Sequence, residues 1–185
     1  MQAPSGQTTG PALRTALGDG TLAGQWVLDP HRSSVRLKTR SLGLIPVSGV
    51  FRDVSGHGTV SAEGEVSGTL KILAASVDSG VGKRDVHLRS AEIFDSAGNP
   101  HIIFAVDGIR FSGPGNGVTV TGSLTVRDRT RPLSFDAAAT VRADGDVELD
   151  AQARIDRTDF GVGWRGDALA SKINILIIHA TFTRP

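Results

Sequence analysis

Residues 117–155, GVTVTGSLTVRDRTRPLSFDAAATVRADGDVELDAQARI, decide the fold. Val118, Val120, Gly122, Leu124 and Val126 alternate with Thr119, Thr121, Ser123 and Thr125. The same period runs through Leu133, Phe135, Ala137, Ala139 and Val141, and again through Val147, Leu149, Ala151, Ala153 and Ile155. Side chains on a strand point alternately to its two faces, so each segment reads as a strand with one face in a core and one in water. Asp128-Arg129-Thr130-Arg131-Pro132 and Ala143-Asp144-Gly145-Asp146 separate the segments as short polar turns. Strands joined this tightly form an antiparallel meander.

The pattern extends outward in both directions. Val35, Leu37 and Thr39 alternate with Arg36, Lys38 and Arg40, and Val66, Leu70 and Ile72 alternate with charged and polar neighbours, with Gly68 in an inward slot. Further strand segments are expected near 47–60, 102–111 and 173–182, for a total of about eight. Eight antiparallel strands can stack as a sandwich or close into a barrel, and only closure removes the edges. Periodicity leaves both open. Glycines at the inward slots 68 and 122 point either to room inside or to bulges. Between Ser76 and Asn99 the period changes: Val81, Arg84, Asp85, Leu88, Arg89 and Glu92 fall at spacings of three and four. A short helix fits there, with too few apolar members to bury much, so it should lie over a sheet end or barrel mouth.

With 185 residues the chain is one domain with a substantial core. The first 22 residues are rich in Gly, Pro, Ala, Ser and Thr and are expected to be a flexible arm, leaving 23–185 as the folded domain. They lack a basic start followed by an apolar core, so the chain is expected in the cytoplasm unless it is a processed or re-cloned form. The apolar run Ile173 to Ile178 is far too short to span a bilayer. A formal net charge of +1, with no basic stripe, argues against nucleic acid as a partner. The absence of cysteine excludes disulfides and thiolate chemistry.

Catalytic and metal motifs are missing. His31, His57, His87, His101 and His179 fall on separate segments without HExxH or HxH spacing, so no metal site is expected. No GxSxG elbow is present, and Gly113-Pro114-Gly115-Asn116-Gly117 lacks the lysine and helix of a phosphate cradle. Asp156 and Asp159 sit beside Arg157 and Phe160 in a context that suggests structure more than acid and base work. Lys83-Arg84-Asp85-Val86-His87-Leu88-Arg89 concentrates cations and a histidine. It could meet a polar head group by charge-assisted hydrogen bonds, or Arg84 and Asp85 could tie the helix to nearby loops.

Several stretches resemble the YceI-like family of lipocalin-like, polyisoprenoid-binding proteins. Trp26 to Val35 is similar to the family's opening, an aromatic followed by an Asp-Pro-x-His/Ser-Ser segment, and Ser41-Leu42-Gly43, Val47-Ser48-Gly49-Val50-Phe51 and Asp53-Val54-Ser55-Gly56 to the glycine-marked signature after it. Arg84-Asp85-Val86-His87-Leu88-Arg89-Ser90 through Asp95 resembles the family's RDxHLrSxdFFD segment, with Ile93 in place of the first aromatic. Val120 to Asp128 and Arg157-Thr158-Asp159-Phe160-Gly161-Val162 complete the match, in order, with Asp128 and Arg129 standing where the family prefers His-Gly.

The resemblance implies an all-β fold, a closed eight-stranded antiparallel lipocalin-like barrel with a short helix between strands over one end, usually dimeric. It implies an isoprenoid lipid, polyprenyl or quinone type, in the interior, no cofactor and no catalytic residue. On that reading Val35, Leu37, Leu42, Phe51, Leu88, Phe94, Phe104, Leu124, Phe135, Phe160 and Trp164 face the ligand, and Arg84 and His87 meet its head group. Inward alanines on the last strands, Ala137, Ala139, Ala151 and Ala153, favour a cavity. The alternatives are a side-chain-filled barrel acting as a stress-response or interaction module and, ranked below it, an enzyme acting on a held lipid, for which no nucleophile with its base is evident.

Overall fold

A computed structural model describes residues 12–41, 44–163 and 171–185. Strands β1 (Gly24–Leu28), β2 (Ser34–Ser41), β3 (Ile45–Phe51), β4 (Val54–Val60), β5 (Val66–Leu73) and β6 (Val77–Asp78) precede helix α2 (Gly82–Arg89). Strands β7 (His101–Phe111), β8 (Gly117–Val126), β9 (Arg129–Val141), β10 (Val147–Asp156) and β11 (Ile173–Thr183) follow, and helix α1 (Leu13–Gly18) stands before them all. The order is β1-β4-β5-β7-β8-β9-β10-β11-β2-β3-β6, with β1 also paired to β11.

That order resolves into a closed antiparallel barrel of eight strands. β1 and β2 both pair with β11, at Leu28 with Phe182 and at Ser34 with His179, so they are one broken strand. β3 and β4 form the next, and β5 and β6 the third, since β4 pairs with β5 and β3 with β6. The remaining five follow in sequence order. The first break arises at Asp29-Pro30: proline cannot donate to a ladder, and Asp29 Oδ1 takes the backbone N–H groups of His31 (2.9 Å) and Arg32 (3.3 Å) in a local turn.

The meander stands as its alternation predicts, with the burial of β8 strictly alternating and Val118, Val120, Leu124 and Val126 buried inward. The β8–β9 turn is tighter than composition suggests. Val126 pairs with Arg129, leaving Arg127-Asp128 as the turn, and Arg129 to Pro132 extend the strand. Of the two inward glycines, Gly122 faces Val106, where the β7–β8 register slips by one residue. It therefore marks a bulge, whereas Gly68 pairs with Gly58 in regular ladder.

The expected arm differs over residues 12–22. α1 buries Leu13, Ala16 and Leu17, and Leu22 is buried after it. A six-residue helix has little stability alone, so tertiary contacts hold it. Arg14 donates to the Gly113 carbonyl (3.1 Å) and lies 3.9 Å over the Phe111 ring. Trp26 Nε1 donates to the Leu22 carbonyl (2.9 Å), and Arg184 donates to the Thr21 and Ala23 carbonyls. Composition flags breakers but not the apolar spacing 13, 16, 17 that one turn of helix needs. Residues 1–11 lie outside the described residues.

Candidate functional site

Among the described residues, inward side chains leave a larger and a smaller apolar cavity. The larger, about 360 Å³, lies at the end bearing α2. Its wall includes Leu37, Val47, Phe51, Ile72, Leu88, Ile93, Phe94, Ile102, Leu124, Val126, Ile155, Phe160, Val162 and Leu176, with polar atoms from Thr39, Arg40, Ser41, Arg84, Arg157, Ser171 and Asn174. The smaller, about 150 Å³, lies at the end closed by α1 and is lined by Leu13, Leu17, Leu22, Trp26, Val60, Val66 and Ile109 among others.

Phe104 and Phe135 lie in the layer between them, with buried Val35, Val120 and Ile178. Ile102 belongs to the larger cavity and Val106 to the smaller, and Phe104 lies between these two on the inner face of β7. Its ring meets that of Phe135 with centroids 5.4 Å apart. The close approach of strands at Gly122 makes room for it: a Cβ there would lie 2.9 Å from the Phe104 ring and 2.1 Å from the Ala105 carbonyl oxygen.

The mouth of the larger cavity is built by α2 and by the turn after β10. Asp85, buried on α2, accepts from the backbone N–H (2.8 Å) and hydroxyl (2.6 Å) of Ser79, which fixes the helix to the end of β6. Arg84 is then left half-buried on the cavity wall. The helix tie thus rests on Asp85 and on Arg89, which donates to the Val77 carbonyl (2.9 Å), and not on Arg84. At the other rim, Asp156 accepts from Thr158 through both its hydroxyl (2.6 Å) and its backbone N–H (2.9 Å). These bonds, with Lys172 and Arg157 nearby, hold its carboxyl below the usual carboxylate range. The 3-10 turn Arg157–Phe160 that follows buries both its end residues. Arg157 donates to the Val162 carbonyl (2.7 Å) and the Ser171 carbonyl (3.1 Å). Asp156 and Asp159 therefore belong to a capped turn, with Asp159 exposed.

Leu37, Phe51, Arg84, Leu88, Phe94, Leu124 and Phe160 come together on the larger cavity. Phe104 and Phe135 lie between the cavities, and Val35 is buried beside Phe51 and Ile178 without lining either. His87 is off the wall, with Nδ1 3.9 Å from Glu92 Oε2. Leu42 and Trp164 lie outside the described residues. The sequence reading missed Arg40 and Arg157 on the wall. Arg157 opens the quoted Arg157-Thr158-Asp159-Phe160-Gly161 stretch, so its place in the motif was visible, but not its burial. Arg40 sits in a run of outward cations and carries no signal that sets it apart. Among the described residues the wall of the larger cavity has no His, Asp or Glu, and no three metal-ligating side chains gather anywhere.

A closed barrel with an apolar interior and a polar rim is the architecture of a small-ligand-binding protein. The chain belongs to the YceI-like domain family, whose match covers residues 26–181. It is 31% identical over 121 residues to a UPF0312 protein of Shewanella sp. (strain ANA-3), and the matched stretch spans 63% of each chain. The fold is similar to that of BcnA of Burkholderia cenocepacia, with a TM-score of 0.76, 22% identity, and coverage of 83% of this chain and 98% of that one. It is also similar to a polyisoprenoid binding domain from Saccharophagus degradans, with a TM-score of 0.71, 15% identity, and coverage of 86% and 98%.

Proposed function

We propose that this protein binds one long-chain isoprenoid, of the polyprenyl or isoprenoid quinone type, with its tail inside the barrel and its polar end at the α2 mouth, and that it does so without catalysing a reaction. The observation that carries this is the larger cavity: apolar along its depth, with cationic groups at its rim. A guest that matches it is a long hydrocarbon with one polar or anionic end. Burial of the chain would supply the affinity, at roughly 25 cal/mol for each Å² removed from water. Arg40 and Arg84 enter no ion pair among the described residues and are placed to donate to phosphate or quinone oxygens. The structural likeness to a polyisoprenoid binding domain supports the same ligand class. Non-enzymatic binding fits a wall that, among the described residues, offers hydroxyls but no base to activate them.

The test is native mass spectrometry of the gently purified protein, with solvent extraction of whatever it carries. A prenyl lipid in the extract, or stoichiometric uptake of an added prenol at micromolar concentration, is the expected result. A protein that comes out empty and takes up none would instead favour an interaction module.

A further inference from the structure

The lower cavity has a feature that the family match does not cover. The match begins at residue 26, and three of the side chains that wall this cavity, Leu13, Leu17 and Leu22, come before it. We propose that this N-terminal segment is the end-stop of the ligand site and sets the longest isoprenoid tail the barrel accepts. The proposal rests on the isoprenoid reading above and adds to it a specificity-determining element outside the family domain.

Three observations lead there. First, the two cavities lie along the same inner faces of the barrel, and the layer between them holds Phe104 and Phe135 together with buried Leu28, Val35, Val120 and Ile178, which a passing tail must push aside. A tail entering at the α2 mouth and passing those rings would reach the lower cavity next. Second, the lower cavity is suited to hydrocarbon and to little else. Apart from Ser67 and threonine side chains at 59 and 69, and His57, its wall is aliphatic, glycine, Trp26 or Phe182. Protein interiors leave few voids larger than a water molecule, and an apolar cavity of about 150 Å³ stays dry while accepting apolar guests. Gly58 and Gly68, paired across β4 and β5 on its wall, let these strands approach where a side chain would not fit: a Cβ at Gly68 would lie 2.6 Å from the His57 carbonyl oxygen.

Third, the stop is anchored rather than loosely laid over the opening. Arg14 reaches the Gly113 carbonyl and the Phe111 ring on the β7–β8 side. Gly64, between β4 and β5, approaches so closely that a Cβ there would lie 2.9 Å from the Leu17 carbonyl oxygen. From the C-terminal end Arg184 holds the Thr21 and Ala23 carbonyls and lies 4.7 Å over the Trp26 ring. Helix and barrel are thus tied on three sides. Leu13 and Leu17, one turn apart, both reach the cavity, with Ala16 fully buried beside them. Truncating the two leucines should lengthen the cavity without removing Arg14, Arg184 or their bonds.

The experiment measures apparent affinities of the full chain for farnesol, geranylgeraniol and solanesol, prenols of increasing length, by native mass spectrometry, with a thermal melt confirming that each variant is folded. In the double variant Leu13→Ala, Leu17→Ala, solanesol affinity is expected to rise roughly tenfold or more, because part of the tail that had no room gains apolar burial. Farnesol affinity should stay within about twofold on the same grounds. Ala139→Leu narrows the lower cavity from the barrel side with the sequence of α1 unchanged, and is expected to shift preference toward the shorter prenols. It keeps the proposal open to refutation if the double variant fails to fold. An unchanged length preference in Ala139→Leu, or in a folded double variant, with farnesol still bound, would overturn the end-stop and leave isoprenoid binding standing. Failure of the unaltered chain to bind any of the three would remove the isoprenoid reading and the end-stop together.

Discussion

At the scale of single residues, Gly122 and Arg84 make the sharpest demands. A methyl group at position 122 would meet the Ala105 carbonyl oxygen at 2.1 Å and the Phe104 ring at 2.9 Å, and neither a backbone carbonyl nor a core ring can easily yield. Gly122→Ala is expected to cost about 1–3 kcal/mol or more, as overpacking does. Urea denaturation with an unchanged slope would show it as a lower midpoint, and a midpoint equal to that of the parent would refute the close approach. Arg84→Ala should leave the fold intact and weaken binding of a prenyl phosphate by about 1.5–3 kcal/mol relative to the matching prenol, the range for a hydrogen bond to a charged group. Titrating both lipids separates the cases: equal loss for the two would contradict a head-group role. The sequence brought Arg84 and Gly122 into view but could not say what either did. An inward glycine reads the same whether it lets a regular ladder approach closely, as Gly68 does beside the His57 carbonyl, or accommodates a bulge, as Gly122 does. The cation cluster likewise could not reveal that Asp85 anchors the helix and so leaves Arg84 on the cavity wall, with His87 turned elsewhere.

At the scale of elements, strands were legible and their ends were not. Period-two alternation reports which face is buried, and it reports this well for β8 through β10, where polar and apolar residues separate cleanly. It does not report where pairing stops. Arg129 to Pro132 looked like turn and are strand, because a polar residue at a barrel rim can continue the ladder while its side chain meets water. α1 escaped for the opposite reason: Leu13 and Leu17 gain their burial at a cavity whose other walls include Val60, Val66 and Ile109, far along the chain, which no local pattern displays. The turn after β10 offers a test of how one such end is held. The Thr158 hydroxyl and backbone N–H stabilise the ionised form of Asp156, so its carboxyl titrates lower in the folded chain than in the unfolded one. A group shifted in this direction contributes stability that is complete above the unfolded value, near pH 4, and is lost as pH falls through the lower folded value. Asp156→Ala is therefore expected to be less stable than the parent at neutral pH, with the difference shrinking as pH drops below about 4. Denaturation of both chains across that window checks it, and a difference independent of pH would mean the carboxylate is not what holds the turn.

At the scale of the whole molecule, what makes this sheet a barrel is the seam between its first and last strands, and a small number of bonds carry it. β1 meets β11 at two registered pairs, Val27 with Thr183 and Leu28 with Phe182, and β2 resumes the pairing only at Ser34 with His179. Thr181 spans the interruption. It is fully buried, its carbonyl accepts from Asp29 N–H (2.8 Å), its N–H donates to the Ser33 hydroxyl (3.0 Å), and its own hydroxyl donates to the Arg32 carbonyl (3.0 Å). Periodicity could not foresee this, because it leaves sandwich and barrel equal; closure depends on contacts about 150 residues apart, as the separation of 149 between Arg32 and Thr181 shows. Thr181→Val keeps the shape and removes the hydroxyl, leaving the Arg32 carbonyl without that donor at a partly buried site. A loss of about 1–3 kcal/mol is expected for the unmet partner. For a domain of this size that lowers Tm by about 2–4 °C per kcal/mol. Because opening the seam exposes both cavities and frees the edges of β1, β2 and β11, the melt should remain a single cooperative transition that moves as a whole. A calorimetric trace that instead splits into two steps would show that the seam opens independently of the remaining strands, and that closure is an addition to this fold rather than a condition of it.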